Sequence, residues 1–157
     1  PATATPSTIC LGSSTNLNAS TPVGTQSDFT GTYGTGNWTI SNNPAGTGGN
    51  VDVVSAPYSV YMVSGNNGFG GTTDYTRGVI AVTGTISFDW NYSTTDAAGN
   101  DYPQYLVNGV ATTFPGYNTV GPAIQSGSVS IPITAGQTFA LRVGSTTGTL
   151  GAGSIIV

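Results

Sequence analysis

The sequence contains no histidine, no lysine and no glutamate, and Cys10 is its single cysteine in 157 residues. Six aspartates and two arginines are its only charged side chains, 5% of the chain, where an ordinary soluble domain has about 25%. Each absence closes a class of chemistry. Without histidine, the commonest general base and the commonest metal ligand are missing. Without lysine there is no Schiff base, no P-loop lysine and no Lys–Asn isopeptide cross-link. The serines have neither His nor Lys to activate them, which excludes Ser-His and Ser-Lys nucleophiles. Two arginines make no basic patch, and a net charge of −4 repels phosphate backbones, so nucleic acid is not an expected partner. Apolar runs stop after a few residues, as in Ile155-Ile156-Val157, far short of the roughly 18 that a membrane-spanning helix needs. The chain opens at Pro1 without an initiator methionine or a leader, which reads as a processed product or an excerpt.

What is present is aromatic and β-branched. Two Trp, eight Tyr and five Phe stand among many Val and Ile, which separates the chain from disordered polypeptides. Gly, Pro, Asn and Asp recur too often for a helical window of twelve residues to survive. Short alternating apolar runs take its place, the pattern of strands. Strands are expected at 51–53 and 58–63, and the longest signal covers 79–92. There Val82, Ile86, Phe88, Trp90 and Tyr92 share one face, with Gly84 as a bulge or bend. Residues 102–108 and 110–114 form a hairpin through the Asn108-Gly109 turn. A second hairpin is expected from 127–133 and 138–143, and a last strand at 154–157. Trp38, Phe88, Trp90 and Phe139 are assigned to the core. The fold class is all-β, an antiparallel β-sandwich of jelly-roll or Ig-like form.

Composition changes near residue 27. Residues 1–26 are rich in Thr, Ser and Pro and lack aromatics, an extended arm with strand character, and residues 27–157 form the sandwich domain. The stretch from Thr3 through Ile9-Cys10-Leu11-Gly12 to Leu17-Asn18-Ala19 resembles the opening of Ig-like repeats in large surface proteins of gliding, Bacteroidota-type bacteria. In those repeats the Cys pairs with a second Cys later in the unit. With Cys10 alone, that bridge cannot close within this chain, and Cys10 is left as a core residue or an intermolecular disulfide candidate. From about Phe29 onward, Asn37-Trp38-Thr39-Ile40, Ser64-Gly65-Asn66-Asn67-Gly68, Gly84 to Asp96, Tyr105-Leu106-Val107-Asn108-Gly109 and Ala135 to Val143 resemble lectin-like or jelly-roll modules of bacterial adhesins and secreted proteins. The resemblance implies a secreted or surface-displayed protein that works in adhesion or scaffolding.

Three sets of candidate residues follow. Thr3, Thr5, Ile9, Cys10 and Leu17 are assembly candidates, because a strand-like arm can pair with the open edge of a neighbouring sandwich and propagate a filament. The other readings pack the arm on its own domain, or make it part of an Ig-like unit whose remainder lies outside this excerpt. Asp96, Asn100 and Asp101 place two carboxylates and an amide in a Gly-containing loop, a ligand set for calcium; the competing reading is a turn capped by its own side chains. Tyr102, Gln104, Tyr105, Asn108 and Tyr117 gather around the 102–117 hairpin, where aromatic faces and amides suit a sugar, or else belong to the core. No pair among the six aspartates is placed across a cleft as glycoside hydrolysis requires, and the chain reads as no enzyme. The expected function is a non-enzymatic extracellular structural or adhesive subunit that self-associates by strand pairing. The alternative is a carbohydrate-binding module, with or without calcium, of a larger secreted protein.

Overall fold

The structure is a computed structural model that describes residues 2–5, 16–19, 25–44 and 46–157, the first two segments as backbone. Strand β1 (Ala2–Thr5) pairs antiparallel with β2 (Asn16–Ala19), Ala2 opposite Ala19, in a two-stranded sheet of their own. Two short 3-10 turns, Gly31–Tyr33 and Thr35–Asn37, lead into the sandwich. Its strands are β3 (Thr39–Asn43), β4 (Asn50–Asp52), β5 (Tyr61–Val63), β6 (Gly71–Val79), β7 (Gly84–Thr94), β8 (Asp101–Val107), β9 (Val110–Thr113), β10 (Ile124–Ile133), β11 (Thr138–Ser145) and β12 (Gly153–Ile156). They form two five-stranded antiparallel sheets, ordered β10-β7-β12-β5-β4 and β3-β6-β11-β8-β9. The chain crosses between the sheets at every connection from β3 to β12 except β4–β5 and β8–β9, giving a jelly-roll-like sandwich.

Period-two alternation explains which side of each strand is buried. Along β7, Trp90 and Tyr92 are buried and Ile86 and Phe88 pack against the core, while Thr85, Ser87, Asp89, Asn91 and Ser93 are exposed. The facing sheet contributes Tyr75, Phe139, Leu141 and Val143. Trp38 stacks on Tyr75 with ring centroids 4.7 Å apart, and Phe114 packs edge-on against Phe88 at 5.4 Å. Trp38, Phe88, Trp90 and Phe139 thus occupy the core region, as expected from the sequence.

The structure corrects four details. The 79–92 signal is the end of β6 and the whole of β7, and Val82 lies exposed in the connection between them. Gly84 starts β7 opposite Ile133; the register shift lies at Phe139/Ala140, where Arg77 of β6 is left without a partner. Of the expected 58–63 strand, 61–63 is β5 and Val60 exchanges backbone hydrogen bonds with Val157 (2.9 and 3.1 Å), while Val54 to Tyr58 turn. The 127–133 and 138–143 segments are strands but not a hairpin. β10 pairs with β7, and β11 pairs with β6 and β8 in the other sheet. Both strands carry an apolar face, and crossing between layers buries both. The crossing turn is tied to the parallel crossing at 80–83: Ile80 N–H donates to Gln137 O (2.7 Å), Gly136 N–H to Ile80 O (2.8 Å) and Ala135 N–H to Thr83 Oγ1 (3.0 Å).

Candidate functional site

The loop from Asp96 to Asp101 separates its two carboxylates. Asp96 Oδ1 accepts from Ala97 N–H (2.6 Å) and Oδ2 from Asn100 Nδ2 (3.1 Å), the side-chain bonds of a turn. Asp101 opens β8 on the inward side and is 0% exposed. Its Oδ2 accepts from the Thr94 hydroxyl at 2.6 Å and its Oδ1 from the Ser64 hydroxyl at 3.2 Å, both from the opposite sheet side. Ser64 Oγ in turn accepts from Gly153 N–H (2.9 Å). Asp101 thereby joins the two layers. Among the described residues, no three His, Cys, Asp or Glu side chains cluster.

The five candidate sugar residues separate: Tyr102, Gln104 and Tyr105 lie on β8, Asn108 in the β8–β9 turn and Tyr117 in the β9–β10 connection. Tyr105 points inward and stacks near Phe139 and Phe114, at 6.5 Å from each. Tyr117 packs edge-on against Tyr92 at 5.1 Å, and its hydroxyl donates to Asp101 O and accepts from Gly99 N–H at 3.0 Å. Tyr92 Oη also donates to Asp101 O (3.0 Å), and burial, with Tyr117 beside it, pushes the Tyr92 phenol well above its usual range. Asn108 sits in the β8–β9 turn with φ 51°, followed by Gly109 at φ 77°, and its Oδ1 accepts from Thr138 N–H (3.0 Å). Tyr102 and Gln104 alternate with these and face outward. The assembly candidates Thr3, Thr5 and Leu17 fall on β1 and β2, whereas Ile9 and Cys10 lie outside the described residues.

The outward face around Tyr102 is built by strands remote in sequence. Tyr102 lies opposite Gly144 of β11, and Gly144 opposite Thr72 of β6. A Cβ on Gly144 would sit 2.4, 2.5 and 2.7 Å from Cζ, Cε2 and Oη of Tyr102, so the ring lies flat over a place that only glycine leaves open. In the next row, Ser41, Asp74, Arg142, Gln104 and Thr113 line up across all five strands. At its centre Arg142 Nε and Nη2 donate to Asp74 Oδ1 and Oδ2 at 2.6 and 2.7 Å, a bidentate pair only 20% and 15% exposed. The hydrogen bonds that Arg142 donates to Asp74 raise the Arg142 pKa above its usual value, against the opposing effect of burial. Beyond the pair, Ala140 and Leu106 lie low in the outer face, outside the core cluster. With Thr76, Thr138 and Gly109 they line a hollow of about 290 Å³ bounded by Arg142 and Asp74. Sequence reading found Tyr102 and Gln104 but missed Asp74, Arg142, Gly144, Ala140 and Leu106. One signal was available: a chain with only two arginines in a polar, uncharged surface has strong reason to pair them.

No protein-family model matches the sequence, and no curated protein matches it. Solved structures similar to it include TmCBM61, described in complex with β-1,4-galactotriose (12% identity, TM-score 0.43, covering 76% of this chain and 87% of that one). Two others are a family 35 carbohydrate-binding module from Clostridium thermocellum and CBM35 from Paenibacillus barcinonensis. Each has 16% identity and a TM-score of 0.34 over 76% of this chain, covering 90% and 96% of the other.

Proposed function

We propose that this chain is a non-catalytic carbohydrate-binding module of a secreted or surface-displayed protein, and that it binds through the outer face of β3-β6-β11-β8-β9. The observation that carries the reading is the Tyr102 ring laid over Gly144 beside the fixed Arg142–Asp74 pair. A flat aromatic face offers apolar contact to the C–H side of a pyranose, and the charged pair and Gln104 offer directional hydrogen bonds to its hydroxyls. All of these groups sit on sheet strands, which hold them in place before a ligand arrives. A polysaccharide-binding screen of the intact chain tests the reading. Tyr102→Ala should lower affinity about tenfold or more, as loss of a central aromatic contact does. A wild-type chain that binds no carbohydrate would overturn it.

Assembly by strand pairing is supported by a different observation. β10 is ten residues long and stands at the edge of its sheet, so one side of its backbone faces no described strand. Sedimentation across a concentration series tests this second reading; a chain that remains monomeric at every concentration would rule it out.

A further inference from the structure

We infer that the ligand of this face is an uncharged glycan gripped through neighbouring hydroxyls by Arg142 and Asp74 together, an inference that rests on the carbohydrate-binding reading above. The charges on the face number one of each sign, and each neutralises the other at 2.6 and 2.7 Å. A uronate or sulfate needs an unpaired cation. The chain's other arginine, Arg77, lies in the irregular stretch of β6, its guanidinium 5.7 Å from the Tyr33 ring centre. An amino sugar needs an unpaired carboxylate, and both Asp74 oxygens already face Arg142. Leaving water would cost a charged ligand its hydration with no opposite charge to offset the loss.

Hydrogen-bonding capacity remains after the pair has formed. A guanidinium carries five N–H donors, of which Arg142 spends one from Nε and one from Nη2 on Asp74, and each carboxylate oxygen keeps a lone pair. Donors and acceptors are therefore held side by side in fixed geometry. Two adjacent sugar hydroxyls satisfy both at once, one donating to Asp74 and its neighbour accepting from Arg142. The flanking places suit the less polar faces of rings: Tyr102 over Gly144 on one side, the Ala140–Leu106 hollow on the other. From Gly144 to Ala140, four steps along β11 at about 3.4 Å each span roughly 14 Å, room for consecutive sugars rather than one.

The test measures affinity of the intact chain for hydroxyethylcellulose, mannan and galactan as uncharged polymers. Polygalacturonate and dextran sulfate serve as anionic polymers and chitosan as a cationic one, each at low and high salt. The expected result is binding to an uncharged polymer that changes less than about twofold with salt, since no net charge is engaged. Asp74→Asn, which frees the Arg142 charge at nearly constant shape, should weaken that binding. It should also gain about tenfold for polygalacturonate at low salt only. Asp89→Asn, on the outer face of the other sheet, should alter neither. A wild-type preference for a charged polymer overturns the inference and leaves the carbohydrate-binding reading standing. Binding to no polymer overturns both. A folded Asp74→Asn variant with no gain for polygalacturonate overturns the role of the pair, and the wild-type salt dependence decides the matter if that variant does not fold.

Discussion

The Thr94 hydroxyl donates to the Asp101 carboxylate at 2.6 Å across the boundary between the two sheets, and Ser64 reaches the same carboxylate from the end of β5. Hydroxyl donors hold this fully buried side chain, and among the described residues no cation pairs with it, so its value lies in joining layers. Asp101→Ala leaves the Ser64 and Thr94 hydroxyls buried with fewer partners. It should destabilise the fold by about 2–4 kcal/mol in denaturant unfolding. Asp101→Asn, which keeps the size and one acceptor oxygen but turns the other into a donor, should cost less. Equal losses for the two variants would contradict this account.

Gly144 is the floor beneath Tyr102. Gly144→Val places side-chain atoms where the ring lies and should turn Tyr102 away from the sheet, at an overpacking cost of about 1–3 kcal/mol. On the proposed carbohydrate-binding reading, affinity should fall as far as in Tyr102→Ala, and the double variant should be no weaker than either single one. Additive losses would show that the two residues do not act as one contact.

The phenol of Tyr92 is protected from ionising in the folded state, its pKa raised above the ordinary value of 10.0 by burial and by Tyr117. Its contribution to stability is complete below pH 10. It is lost as pH rises above 10, because the unfolded chain then releases a proton that the native state retains. Alkaline titration should show destabilisation beginning near pH 10, with tyrosinate absorbance from Tyr92 delayed until unfolding. In Tyr92→Phe the alkaline slope should be shallower, although neutral stability drops with the bond to Asp101 O. An unchanged slope would mean that other tyrosines, such as the buried Tyr75, carry the effect.

Asp96 and Asp101 are engaged separately, one within its own turn and one between the sheets. Calcium at this loop would have to draw Asp101 out of the interior. Calcium at millimolar levels, or a chelator, is expected to leave the melting temperature unchanged. A rise that grows with calcium concentration would establish binding to the native state.

Much of the sandwich was legible residue by residue. Asn108-Gly109 marked the β8–β9 turn because both positions need positive φ, and the alternation from Ile86 to Tyr92 marked the buried face of β7. β6 escaped notice because Gly-Thr-Thr-Asp-Tyr-Thr-Arg-Gly has one apolar side chain facing the core and otherwise reads as a polar loop. Period alone could not show whether β10 and β11 join as a hairpin or cross between layers, since both arrangements bury the same faces. Tyr105 and Tyr102 looked equivalent as nearby aromatics, yet their odd spacing sends them to opposite sides of the sheet.

The amino-acid sequence by itself determined an all-β chain whose surface is hydroxyl and amide rather than ionic, and it removed the histidine- and lysine-based chemistries outright. Such properties are sums over residues and local alternation, and they hold whatever the order of strands. Only the tertiary structure brought Asp74 to Arg142 across 68 positions and slid Gly144 beneath Tyr102. Both contacts depend on the pairing of β11 with β6 and with β8, and that non-local register is set by packing two sheets around one core.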